Sequence, residues 1–261
     1  MKIGFYTIAY TEGGYSTKQL DSILPYTKHE IVTDLYLHNS RSEQLIEECE
    51  QLTDKYHINY FPYGINRGIN KSTNESLYRG FHINNCDIMI GASQDVYFNS
   101  PTAFDNWIEK AKPHIDKMAL IGNHTSQIDT AYCAMAILTR NFINNIGYTD
   151  ENFVPAQYDD IDNMRRLSLV YRNKPFQQNI VSDSTHDGML SRRKDMSLFI
   201  QQTYITFPLC EQYYIRKWGA IHNEPYTHPF NDPSLNCYIP WEKHSAPYGK
   251  YDRKDQNIVR I

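Results

Sequence analysis

The sequence predicts an α/β fold, a mixed and mostly parallel sheet flanked by helices, followed by a helical and irregular C-terminal extension. Three observations carry this expectation. Short β-branched and aromatic runs alternate with amphipathic stretches between residues 2 and 91, the order that builds parallel βαβ units. Each of those runs ends in polar or glycine residues, as strands do where they enter loops. The chain has 261 residues, 41% of them hydrophobic and 21% charged, which suits one large domain, or a domain with a tail, and a sizeable core.

Taken in order, Lys2 to Tyr10 reads as a buried strand that stops at Thr11-Glu-Gly-Gly14. Leu20, Ile23 and Leu24 then mark a helix from Ser16 to Tyr26, with Ser16 or Thr17 as its cap. Asp34 to His38 is a second strand, Glu43 to Tyr56 a helix, and Ile58 to Phe61 a third strand. Gly64 to Asn70 is a loop before an amphipathic helix over Lys71 to Ile83. Asp87 to Gly91 is a buried strand that runs into Ala92-Ser-Gln-Asp95. Ligands in open α/β sheets bind at the carboxyl ends of the strands, so the residues after Tyr10, His38, Phe61 and Gly91 are the ones to watch.

Beyond Pro101 the expected elements are a helix over Thr102 to Ala111, a strand over Met118 to Gly122, an apolar run over Ala131 to Thr139 and a short helix over Asn141 to Ile146. Tyr158-Asp-Asp-Ile-Asp162 opens a further helix, Asn179 to Ser182 is a last strand, and His186 follows in a loop. From Arg192 a helical reading extends to Trp218. The Pro-rich tail from Asn223 is expected to wrap the domain, and Lys217-Trp-Gly219 and Pro229-Phe-Asn231 look like sites that pack it back. The expected division is one domain over 1–190, its two halves meeting at about residue 100, and an extension over 191–261.

Composition excludes several classes. Lys plus Arg is 26 and Asp plus Glu is 30, a net charge of -4, too weak a bias for nucleic acid or an acidic membrane as the main partner. The five cysteines are far apart and form no CxxC pair, which argues against a zinc site or a disulfide framework. No apolar run is long enough to span a bilayer, and the apolar start lacks a basic leader and cleavage region. A reducing, cytoplasmic setting is expected, at most peripheral to a membrane. The 21 tyrosines suit sugar stacking, but core packing is the ordinary use of each, Tyr97, Tyr132 and Tyr158 included.

Asp95 closes a buried strand, where a carboxylate either binds a divalent cation or caps the next turn. Asp159, Asp160 and Asp162 crowd a helix start. Capping and the helix dipole explain them one way, a positioned general base the other. His186, beside Asp187, is a metal ligand or a plain loop histidine. Asn66-Arg67-Gly68 places an arginine and a flexible glycine beside a helix start, where a diphosphate can be approached, though it matches neither the Walker loop nor GxGxxG.

The order of these elements resembles glycosyltransferase family 2, inverting enzymes of the GT-A (Rossmann-like) fold. Leu37-His-Asn-Ser40 stands at the family's Asp-Asn-Gly-Ser-like strand end, with His38 in place of Asp. Asn66-Arg-Gly68 and Asn74 look like its Asn-x-Gly…Asn element. Ser93-Gln94-Asp95 corresponds to the metal motif Asp-x-Asp, with the first Asp replaced by Ser. Ala134 to Arg140 and Ile146 to Glu151 are similar to the run before the acceptor site, and Tyr158 to Asp162 with Arg166 to the Glu-Asp-x-Asp…Arg run. His186 sits where some members place a third metal ligand. The resemblance spans about residues 1 to 190.

The resemblance implies sugar transfer with inversion from a nucleoside diphosphate donor, UDP being the commonest, to a hydroxyl of a glycan or glycoconjugate. Asp160 would be the base and Asp159 the second choice. Mn²⁺ or Mg²⁺ would be held by Asp95 and His186, with the imidazole tilting the expectation to Mn²⁺. Ala9, Tyr10 and Asn39 would face the base, Arg67 the diphosphate, and Thr11, Asn66, Gly68, Asn74, Ser93, Gln94 and Asp95 would complete the nucleotide-sugar site. Arg166 would support either the acidic loop, Asp162 included, or a phosphate. The competing reading is a GT-A-like module that binds nucleotide or carbohydrate without catalysis, which the Ser93 replacement allows. A metal-dependent hydrolase ranks last for want of HxH or HExxH. A homo-oligomer could form through the tyrosine-rich tail.

Overall fold

Alternation along the first strand sets the architecture. In β1 (Lys2–Ala9) Ile3, Phe5 and Ala9 face one side and Tyr6 and Ile8 the other, each packed into a different cluster, the two-residue period of a strand buried on both faces. The computed structural model describes residues 1–38, 42–63, 66–124, 134–172, 174–187 and 206–221. The remaining strands are β2 (Glu30–Leu37), β3 (Asn59–Pro62), β4 (Ile88–Ser93), β5 (Val96–Phe98), β6 (Leu120–His124), β7 (Met135–Leu138), β8 (Gln177–Val181) and β9 (Ser184–His186). Seven of them form one sheet in the order β3-β2-β1-β4-β7-β6-β8. Only β7 runs against its neighbours, so the sheet is mixed and mostly parallel, as expected.

Helices cover both faces. α1 (Tyr15–Asp21), α2 (Glu43–Tyr56) and α4 (Ala103–Ala111) bury Leu20, Leu45, Leu52, Phe104 and Trp107 against Phe5, Ile88 and Ile90. α3 (Ile69–Tyr78), α5 (Arg140–Ile146) and α6 (Asp159–Tyr171) bury Leu77, Phe142, Ile146 and Leu167 against Tyr6, Tyr36 and Met89. Local chemistry marks their ends. The Ser42 hydroxyl accepts from Leu45 N at 3.1 Å, and the Thr139 hydroxyl from Asn141 N at 3.2 Å, both N-caps. A last helix, α7 (Phe207–Trp218), packs Cys210, Tyr213, Tyr214 and Trp218 onto Phe153 and Tyr158.

The structure corrects four boundaries. α1 is shorter than the span to Tyr26 and starts after Gly14, in the left-handed conformation, instead of on a Ser or Thr cap. The helix expected to reach Ile83 leaves the α form at Arg79 and finishes in a π-helical turn. His186 lies in a strand, not a loop. The helix expected from Arg192 to Trp218 is interrupted at Thr206, and α7 starts at Phe207, where Pro208 occupies the first turn, a position that tolerates its missing N–H. Residues 192–205, Pro229-Phe-Asn231, Asn39 and Tyr132 lie outside the described residues. Among the described residues no helix is long and apolar enough to cross a membrane.

Candidate active site

In a sheet whose strands run mostly one way, the loops after β1, β2, β3 and β4 gather at one edge, and helices that follow or precede such strands point their N-termini there. α3 and α6 both do so, which brings residues 66–69 and 158–160 to the edge that carries Tyr10, His38 and Asp95.

Gln94 organises this edge. Its Oε1 accepts from the backbone N–H groups of Tyr10 and Thr11, the latter at 2.9 Å, and its Nε2 donates to Thr11 O at 2.6 Å. A buried side chain thus stands in for a strand neighbour and locks the end of β1 to the end of β4. Gln19 of α1 holds the same turn from beneath, donating to Ser93 O at 2.6 Å and Val96 O at 2.8 Å. Ala9 is fully buried and Thr11 nearly so. Tyr10 is half-buried, and burial pushes its phenol up to about 12 while a bond to Asn66 pulls the other way.

Asp95 follows directly. Pairing of β5 with β9 sets Val96 opposite His186, and His186 Nε2 lies 3.5 Å from Asp95 Oδ2. The Ser93 hydroxyl donates to Asp95 Oδ1. Burial pushes the Asp95 carboxyl up, but the bonds from His186 and Ser93 outweigh it and hold it below the usual carboxylate range. Ser93, in place of a carboxylate, therefore supports Asp95. Asp187 N also donates to Asp95 O at 3.1 Å. Tyr97, half-buried, donates to Asp187 Oδ1 at 3.4 Å, with Lys18 Nζ 4.7 Å from its ring centre. Among the described residues no three His, Cys, Asp or Glu side chains cluster as a metal site.

The loop before α3 is held by its own side chains. Asn66 Oδ1 accepts from Gly68 N at 3.0 Å. Arg67 pairs with Glu75 at 2.9 Å and lies 3.6 Å over the Tyr63 ring, so a diphosphate would have to share it with Glu75. Gly68 has φ 84°, and a Cβ there would meet Pro155 O at 3.2 Å. The left-handed backbone and the close approach both require glycine. His38 is buried, with Nε2 2.8 Å from the Ser72 hydroxyl. Burial, aided by the Arg67 charge, pushes its imidazole down to about 3, so it is neutral at physiological pH.

Asn74 turns inward. Its amide nitrogen donates to Thr149 O at 2.9 Å and Glu151 Oε1 at 3.0 Å, and its oxygen accepts from Thr149 N at 2.8 Å and the Thr149 hydroxyl at 2.7 Å. With Asn70 donating to Phe153 O at 3.2 Å and Ile69 N to Pro155 O at 2.7 Å, the face of α3 grips residues 149–155. That segment leads to the acidic helix start.

Tyr158 takes the left-handed conformation (φ 64°) and α6 begins at Asp159. Its ring is buried among Phe207 and Tyr214, and its hydroxyl donates to Glu211, which is the packing role and not a sugar platform. Asp159 and Asp160 are half-buried. Burial, the Asp160 charge and, less strongly, the Asp162 charge raise the Asp159 carboxyl to about 7, against bonds from its own and the Gln157 N–H. Asp162 and Arg166 are fully buried and paired at 2.9 Å. Arg166 also donates to Ile146 O at 2.8 Å and Tyr148 O at 2.9 Å, so it supports the acidic segment. Sequence reasoning gave Asp150 and Gln19 no role. A glutamine flanking the apolar Leu20 of α1 was the signal for the second. The first had none, because Tyr213 and Lys217, which hold its Oδ2, lie on α7.

No family model matches the chain, and no curated protein matches it. Solved structures do. The mannosyltransferase PcManGT from Pyrobaculum calidifontis, in complex with GDP-Man and Mn²⁺, is 10% identical over 90% of this chain and 68% of its own, with a TM-score of 0.55. S. aureus TarS 1–349 is 14% identical over 69% of this chain, with a TM-score of 0.50, and the match spans 58% of that protein's length. Its complex with UDP-GlcNAc matches over 82% of this chain and 67% of its own at a TM-score of 0.51. The likeness is one of fold, and the architecture is that of GT-A glycosyltransferase structures.

Proposed function

We propose that this chain is an inverting, nucleotide-sugar-dependent glycosyltransferase of family 2, acting on a hydroxyl of a glycan or glycoconjugate. The observation that carries the reading is the Asp95–His186 pair, joined by the β5–β9 ladder at the sheet edge where the acidic start of α6 also lies. The GT-A architecture supports it, as do the neighbours solved with UDP-GlcNAc and with GDP-Man and Mn²⁺. UDP is the proposed nucleotide.

The donor set suits a hard divalent cation. Asp95, held below the ordinary range, offers a carboxylate, and His186 offers an imidazole nitrogen. Two protein ligands match an ion whose other ligands are phosphate oxygens and water. Bound there, Mn²⁺ or Mg²⁺ would neutralise charge on the departing diphosphate. Asp160 is the proposed base, with Asp159 as its alternative. The carboxylate takes the acceptor hydroxyl proton as that oxygen bonds to the anomeric carbon. The bond from that carbon to the donor phosphate oxygen breaks, and its electron pair leaves with the nucleoside diphosphate. Asp159, raised to about 7 beside Asp160, would be poised for the same work near neutrality. Tyr10, half-buried between the buried Ala9 and Thr11, is proposed to line the nucleobase side, on a loop locked by Gln94.

The test is nucleotide release from UDP-N-acetylglucosamine, UDP-glucose and GDP-mannose in Mn²⁺, with water or an added glycan as acceptor. Turnover of one donor that is lost in Asp160→Asn supports the reading. A wild-type protein that turns over none of them overturns it in favour of a binding module.

A further inference from the structure

We propose that Lys217 is a positioning residue for the carboxyl pair Asp159 and Asp160, acting as a charged staple across the neck of the segment that delivers them. The inference rests on the transferase reading. Lys217 sits in the last turn of α7 and is only 4% exposed. Its Nζ lies 2.8 Å from Asp150 Oδ2 and 2.7 Å from Asp162 Oδ1. Those carboxylates stand at the two ends of the excursion through Phe153 and Tyr158. Asp150 precedes it, and Asp162 lies within the first turn of α6.

The rest of α7 splints the same excursion. Tyr213 donates to Asp150 Oδ2 at 2.7 Å and the Trp218 indole to Asp162 Oδ1 at 2.9 Å. The Cys210 thiol lies 3.3 Å from Ala156 O, and Tyr158 reaches Glu211. On the opposite side, Asn70 and Asn74 of α3 hold Phe153 and Thr149. Lys217 thus closes a frame whose open end presents Asp159 and Asp160.

The staple acts by charge as well as by geometry. Asp150, Asp162, Lys217 and Arg166 form a buried group of two carboxylates and two cations, all nearly excluded from water. Burial works against the Lys217 ammonium, but Asp150 and Asp162 hold it charged, above its ordinary range. The groups facing Asp159 are Asp160 and Asp162 from its own helix, Tyr6 from β1 and Cys210 from α7. Asp162 raises the proton affinity of Asp159, and Lys217 offsets Asp162. Removing the lysine charge should therefore make the pair harder to ionise, and removing the Asp150 charge should make it easier.

The experiment is the pH profile of nucleotide release from UDP-N-acetylglucosamine, UDP-glucose and GDP-mannose by the full chain in saturating Mn²⁺. Wild type, Lys217→Met, Lys217→Arg and Asp150→Asn are compared, with UDP and GDP affinities measured in parallel. Lys217→Met is expected to lower kcat about 100-fold, keep nucleotide affinity, and move the acid limb up by about one pH unit. Lys217→Arg should restore most of both, and Asp150→Asn should move the limb down. Limbs that coincide in the variants, or rate and nucleotide affinity falling together, would overturn the positioning role. Should Lys217→Met fail to fold, the downward shift expected of Asp150→Asn, against a limb near that of wild type in Lys217→Arg, still decides. A wild type inert toward all three donors sinks the transferase reading and this inference with it, whereas an active wild type with unmoved limbs sinks the inference alone.

Discussion

The side-chain amide of Gln94 clasps the backbone of Thr11 in both directions, accepting from its N–H at 2.9 Å and donating to its carbonyl at 2.6 Å. The loops that end β1 and β4 are thereby one rigid surface before any ligand arrives. Gln94→Ala leaves buried backbone groups without partners, which costs about 1–3 kcal/mol. The expected outcome is a lower midpoint in urea unfolding and roughly tenfold weaker nucleotide binding, from the entropy of reordering the loop. Gln94→Glu, which keeps the acceptor and loses the donor, should fall between.

Asp160→Asn separates chemistry from binding. The amide keeps the shape of the side chain but cannot take a proton, so turnover should fall by about 100-fold or more, with nucleotide affinity within about twofold of wild type. Calorimetry beside the rate assay checks both. Lost binding would assign Asp160 a structural role.

Asp159 makes stability depend on pH in a defined sense. Its folded carboxyl, raised to about 7 by burial and by Asp160, keeps a proton that the unfolded chain releases near its ordinary value. Stability therefore falls as pH rises from about 4 to about 7 and levels off above. A shift of this size is worth at most about 4 kcal/mol, and solvent reaching the half-buried group reduces that to about 1–3 kcal/mol. Asp159→Asn should stabilise the protein at pH 8 by that amount and little at pH 4, measured by urea unfolding at both.

Asp162 tests the buried charge group. It accepts from Lys217 at 2.7 Å and Trp218 at 2.9 Å, and pairs with Arg166 at 2.9 Å. Asp162→Ala leaves two buried cations facing one carboxylate, and breaking such a pair costs about 3–5 kcal/mol. The expected loss in unfolding free energy is of that order, with α7 the first part to lose amide-exchange protection.

What the sequence made legible follows from range. The β1-α1-β2-α2-β3 order is written in local periodicity, and the helix expected over Glu43 to Tyr56 matches to the residue because its apolar residues keep helical spacing within one element. His186 was misplaced in a loop because a three-residue strand carries no periodicity and exists only through its ladder to β5. The family resemblance implies a ligand-facing Asn74, yet its whole amide is spent on Thr149 and Glu151. Arg166 serves the acidic segment through the carbonyls of Ile146 and Tyr148, which are too far away in sequence for a local pattern to show. The Lys217 staple joins Asp150 and Asp162 across α7, and no local pattern encodes a contact of that span.

The most direct measurement is calorimetric titration of UDP, GDP and dTDP into wild type and Asp95→Ala, first with Mn²⁺ and then with EDTA. The account predicts that UDP binds wild type in Mn²⁺, that EDTA weakens this about tenfold or more, and that Asp95→Ala loses affinity only when the metal is present. Equal weakening of Asp95→Ala with and without metal would contradict the assignment of Asp95 and His186. Binding of none of the three nucleotides to wild type would contradict the transferase site altogether.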